Sequence, residues 1–174
     1  MAHDRSHEGR ASDHAEDHSS HGDHDRHAYA LFALNMLLSF LVMYLLMFVM
    51  IDTWPDFFHN LNMGYMALTM LAPMGAIMIA TMSGMYRNKR LNFGIYALCA
   101  LVFILAFSGI RTQTLIGDQQ FIASMIPHHS GAILMCRGAT LQDSELQALC
   151  ASIAEGQRQE IDQMRAIMDR LQAQ

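Results

Sequence analysis

Charged residues vanish from three long stretches of the chain. Positions 28–51 (AYALFALNMLLSFLVMYLLMFVMI), 61–85 (LNMGYMALTMLAPMGAIMIATMSGM) and 91–110 (LNFGIYALCALVFILAFSGI) hold no Asp, Glu, Lys or Arg. About 20 such residues in a helix cross a hydrocarbon layer of about 30 Å, and each stretch reaches that length. A buried helix of a water-soluble core would keep a polar face somewhere along such a run. The pattern therefore predicts three transmembrane helices in a region spanning 28–110. The first is longer than the apolar part of a cleavable signal peptide and follows an acidic segment, so it is expected to stay as an anchor.

After Gly117 the pattern becomes amphipathic. Phe121, Met125, His128, Ala132, Met135 and Ala139 recur at alternating spacings of four and three, one stripe on one helix, with Asp118 as the expected N-cap. Beyond Gln142 and Asp143 a second stripe runs through Leu146, Cys150, Ile153, Gln157, Glu160, Met164, Ile167 and Leu171. Two helices joined by so short a turn pack antiparallel. Folding about residue 142 sets His128 level with Gln157, and Glu160 and Met164 near Met125. The expected result is a layer of imidazole, amide and carboxylate inside an apolar seam, walled by thioethers. Polar groups buried without partners cost several kcal/mol, so this layer must satisfy itself or hold something. Pro127 is expected to kink the helix just before His128 and let the imidazoles turn inward. Cys136 and Cys150 share a layer near the turn, where they either form a disulfide or act as two small fillers.

Charge sets the expected orientation. Arg87, Lys89 and Arg90 lie between the second and third runs, whereas DTWPDFFHN, between the first and second, has Asp52 and Asp56 and no Lys or Arg. By the positive-inside rule the 86–90 loop is cytoplasmic. The N-terminal tail is then inside, and residues 111–174 form an extracytoplasmic domain, periplasmic at a bacterial inner membrane. Net charge is -4 over 1–27, +1 over 28–110 and -2 over 111–174. No segment is basic enough for a nucleic-acid partner; membrane lipid is the first expected partner.

Seven of the ten histidines fall in the first 27 residues, among them His14, His18, His21, His24 and His27. Interleaved with Asp, Ser and Gly, this low-complexity tail is expected to be disordered and to bind copper, zinc or nickel weakly.

The runs DQQFIASMIPHHSGAILM and SELQALCASIAEGQRQEIDQM resemble the bacterial family catalogued as domain of unknown function 305, a ferritin-like helical family linked to copper tolerance. The resemblance covers 118–168 and rests on Met-Ile-Pro-His-His with Met135, then on Gln157, Glu160, Ile161 and Met164. It implies an extracytoplasmic copper-binding module with His and Met ligands at these positions. It also implies a ferritin-like hairpin that becomes a four-helix bundle if two copies pair, hence a homodimer. The chain departs from the family in carrying Cys136 and Cys150 and in lying behind three spans and a His-rich tail.

Side-chain chemistry agrees. Thioether suits Cu(I), imidazole suits either copper state, and Glu160 is better placed to support a histidine N–H than to ligate a soft ion. The expected outer site is Met125, His128, His129, Met135, Glu160 and Met164. In the second run Met66, Met70, Met74 and Met78 continue a methionine stripe that is either packing or a thioether path for Cu(I). The fold class expected is all-α, and the function is storage, buffering or handover of Cu(I) by a membrane protein. Two rivals are a copper-dependent oxidase and a membrane scaffold or metal sensor that partners a copper exporter or chaperone. The orientation is checked by reporter fusion: a periplasm-active reporter should work after Gln174 and fail before Met1, and the reverse pattern would overturn the charge argument.

Overall fold

The computed structural model describes the backbone of residues 9–173 and the side chains of 26–173. Five helices follow one another among these residues, with no strand: α1 Gly9–Leu46, α2 Leu61–Thr81, α3 Lys89–Thr112, α4 Asp118–Gly138 and α5 Ser144–Gln172. Two short 3₁₀ turns, Met47–Met50 and Trp54–Asp56, lie between α1 and α2.

Arg26–Met50, Leu61–Thr81 and Lys89–Thr112 are each long and apolar enough to cross a membrane. They match the three uncharged runs to within a few residues. Only 11%, 22% and 11% of their most apolar windows are buried, so most of their Leu, Ile and Phe side chains face outward. A water-soluble bundle would expose polar groups there instead. α2 packs against both α1 and α3. Its Gly75 is needed for that approach, since a Cβ there would lie 3.0 Å from Met36 Sδ of α1 and 3.4 Å from Cys99 Sγ of α3. Asn60 caps α2 through Met63 N–H at 2.9 Å, and Asn88 caps α3 through Leu91 N–H at 3.1 Å.

α1 begins at Gly9, within the His-rich segment 1–27. The tail contains no proline, and adding residues to an existing helix costs far less than nucleating one, so the apolar run carries helix upstream. Residues 1–8, including His3 and His7, lie outside the described residues. The side chains of His14, His18, His21 and His24 do too, and His27 is exposed.

α3 ends at Gln113, whose φ of 52° turns the chain back, and the next helix packs over that end of the bundle. α4 and α5 form the expected antiparallel hairpin. The turn is closed by Asp143, whose carboxylate accepts Leu146 N–H at 2.8 Å. Gly117, not Asp118, takes the N-cap position of α4, without a side-chain cap. Asp118 sits in the first turn, where a negative charge opposes the helix dipole. Both helices touch the 51–60 segment, so that segment and the hairpin share one end of the bundle. This is the arrangement three successive crossings require; the 82–88 loop lies at the other end.

A disulfide joins Cys136 to Cys150, Cα to Cα 5.3 Å, across the layer where the sequence placed both thiols. Closing a loop of this size stabilises a chain by about 3 kcal/mol. Thiol labelling of the unfolded, unreduced protein should therefore find one free thiol, Cys99, and three after reduction. Three before reduction would show that the bridge is not formed.

Candidate metal site on a docked helix hairpin

At 100° per residue the buried positions of α4 span an arc of about 220°, more than half the helix. One part, Ile122, Ile126, His129 and Ile133, faces α5 and meets Ile161, Met164, Ile167, Met168 and Leu171. The other part, Ala123, Ser124, Pro127, Ser130 and Gly131, faces the membrane-length helices and the loop between the first two. Only the remaining arc faces outward.

The inner contact explains Pro127. Proline has no N–H, so the carbonyl of Ala123, four residues earlier, loses its helical partner. The Asn60 side-chain amide donates to that carbonyl at 3.2 Å while its oxygen caps α2. Helix assignment continues through Pro127 without interruption. The residue exposes an acceptor that a distant asparagine fills.

Ser130 and Gly131 continue the contact. Ser130 Oγ accepts Asp52 N–H at 2.6 Å and donates to Asp56 Oδ2 at 2.5 Å. Gly131 lets α4 close on the chain, since a Cβ there would meet Met50 O at 3.3 Å. Around this point two carboxylates are buried, their side chains 1% exposed at Asp52 and 6% at Asp56. Arg165 of α5 donates to Asp56, and Thr53 Oγ donates to the same carboxylate at 2.9 Å. Arg158 reaches Asp52 Oδ2 at 3.5 Å. Arg137 Nη2 lies 2.8 Å from Asp52 Oδ1 but off the hydrogen-bond direction, so this contact is an ion pair without a directed hydrogen bond. Further along, Gln120 accepts Leu61 N–H at 2.9 Å, an orphan donor of the first turn of α2.

His129, not His128, is the histidine in the seam. Its Nδ1 lies 2.9 Å from the Met125 carbonyl, which can only accept, so Nδ1 carries a proton. Its Nε2 then faces Glu160 Oε2 at 2.7 Å, and one proton lies between them. The imidazole is 10% exposed and the carboxylate 58%, so Glu160 can swing into water while His129 stays fixed. A nitrogen oriented by a carbonyl on the far side of the ring is the usual preparation of a metal-binding imidazole.

The other expected ligands are spread out. His128 is exposed, its ring 6.0 Å from that of His129 by centroids. Met135 is 59% exposed, Met125 half-buried, and Met164 packs on the core of the seam. The stripe expected inside, Phe121 to Ala139, is thus one residue out of register and forms the outward face. Spacing alone cannot separate two stripes 100° apart when a helix buries two faces. No three His, Cys, Asp or Glu side chains converge among the described residues. Of the methionine ladder, Met66 and Met70 face outward, whereas Met74 and Met78 are half-buried, Met78 against the Phe32, Ile79 and Tyr86 cluster.

Residues 111–172 match the family model described as a domain of unknown function, DUF305. The matched segment is the hairpin with the end of α3. A protein of Acanthamoeba polyphaga mimivirus, "Uncharacterized protein L153", is 37% identical over 70 residues, 39% of this chain and 46% of that protein. The chain thus spans less than half the length of that relative. No solved structure is significantly similar. Within the DUF305 segment, Pro127, Ser130 and Gly131 dock the hairpin and His129 faces its partner helix.

Asn60 separates two roles that substitution can test. Asn60→Asp keeps a cap for α2 but loses the donor to Ala123 O, and should lower unfolding stability by about 1–3 kcal/mol, the scale for an unpaired buried acceptor. Asn60→Ala should cost about 1 kcal/mol more through the lost cap. Thermal unfolding in detergent checks both, and an Asn60→Asp midpoint equal to the parent would refute the carbonyl contact.

Proposed function

We propose that this is an inner-membrane copper-binding protein that stores, buffers or hands over Cu(I), with the DUF305 hairpin on the periplasmic side. The observation that carries this reading is His129: one ring nitrogen held by the Met125 carbonyl, the other facing a carboxylate that is free to leave. His129 Nε2 would hold the metal in place of the proton shared with Glu160, and thioether and imidazole on neighbouring turns would supply the soft donors Cu(I) favours. His128, Met125 and Met135 lie on the outward arc, where they can turn toward an incoming ion or toward a second copy. The exposed Phe121, Met135, Leu146, Leu149 and Ile153 of that same side support pairing of two hairpins into a ferritin-like four-helix bundle.

Orientation rests on two independent supports. The Arg87, Lys89 and Arg90 loop lies at the end opposite the hairpin, as the positive-inside rule requires of a cytoplasmic loop. The Cys136–Cys150 bridge suits an oxidising compartment.

Competition titration of the full-length protein against a Cu(I) chelator tests the proposal. His129→Leu should weaken Cu(I) binding by at least about tenfold, and Glu160→Gln should change affinity by roughly 10–100-fold, the range for a residue supporting a ligand. His128→Leu should weaken it as well. Unchanged affinity in both histidine variants would remove the hairpin site, and oxygen consumption with bound copper would favour the oxidase.

A further inference from the structure

The outward face of α1 carries a second pattern. Leu31, Asn35, Leu38, Val42 and Leu45 recur at spacings of four, three, four and three. Each is exposed: 51% at Leu31, 53% at Leu38, 54% at Val42 and 56% at Leu45, with Asn35 in the same class. Their spacing is that of a heptad seam, with leucine at one core position, valine at the other and a single asparagine within it. At 100° per residue the seam is centred about 120° from the face carrying Phe32 and Met36, which packs against Gly75 of α2. A helix can therefore lie along it without disturbing the three-helix arrangement.

Asn35 says what kind of helix. Its Oδ1 accepts the Ser39 hydroxyl at 3.0 Å, and its amide N–H₂ finds only Met78 Sδ at 4.0 Å, a weak acceptor. An exposed amide on a membrane-length helix with a donor so poorly matched is costly, and asparagines in such positions hydrogen-bond across helices. The group is self-complementary: the N–H₂ of one copy donates to the second lone pair of Oδ1 in the other. Leucine and valine alone would accept any apolar neighbour, including lipid. An asparagine at one core position selects a partner with an amide at the same height.

We propose that α1 is a homodimerisation helix, pairing in parallel with α1 of a second copy along Leu31, Asn35, Leu38, Val42 and Leu45. Both copies insert with the same topology, so the helices run in the same direction and the two-fold axis stands along the membrane normal. This pairing uses a different surface from that of the hairpins and does not depend on copper.

Cysteine scanning of the full-length protein in membranes tests it, in a Cys99→Ser background with the Cys136–Cys150 bridge intact. Under mild iodine oxidation, Leu31→Cys, Leu38→Cys, Val42→Cys and Leu45→Cys should each give at least roughly threefold more disulfide-linked dimer than Leu34→Cys, Leu37→Cys and Leu41→Cys, because only facing thiols meet the distance requirement. Adding Asn35→Leu to Leu38→Cys should reduce that dimer. Equal cross-linking on both faces, strongest cross-linking at 34, 37 and 41, or none at any position would overturn the proposal. A dimer held only by the hairpins would give one of those last patterns.

Discussion

Two buried carboxylates hold this protein together across its sequence. Asp52 and Asp56 sit in the short connection between α1 and α2, yet apart from Thr53 the side chains that pair with them, Ser130, Arg137, Arg158 and Arg165, come from the hairpin more than 70 residues later. Buried charge without a partner is expensive, and removing one member of such a pair typically costs about 3–5 kcal/mol. The hairpin is therefore committed to this end of the bundle. With its inner arc so occupied, α4 can offer α5 only Ile122, Ile126, His129 and Ile133, which brings His129 to Glu160. The register of the candidate site follows from the clamp.

Much of the fold was legible in the sequence because its causes are local. Uncharged runs of more than 20 residues report apolar surroundings directly, and the antiparallel hairpin follows from two amphipathic patterns and a short turn. The Cys136–Cys150 layer could be counted from that turn. The site was legible only in part. His129 and Glu160 meet across the seam at 2.7 Å, but the stripe through His128, expected inside, lies on the outward arc. α4 has apolar side chains on both arcs, so spacing of four and three fits each equally well.

The clamp and the role of Pro127 left no local trace. Asp52 and Asp56 read as markers of loop charge because their arginines are about 80 to 110 positions away. Pro127 reads as a kink because the partner of Ala123 O is the side chain of Asn60 in another element. One signal was available: four polar or small residues, Pro127, Ser130, Gly131 and Ser124, fall within one arc of about 120° on α4. A small, polar helix face in an otherwise apolar segment marks a close approach to backbone or to buried polar groups.

The most direct test of this account is amide hydrogen exchange across α4 in full-length protein carrying Asp52→Ala and Asp56→Ala together. The account predicts that exchange over 122–131 rises by at least about tenfold, equivalent to about 1.4 kcal/mol, while α2 and α3 keep their protection. Unchanged exchange in α4 would mean that the carboxylates do not hold the hairpin in place, and that another contact sets the position of His129.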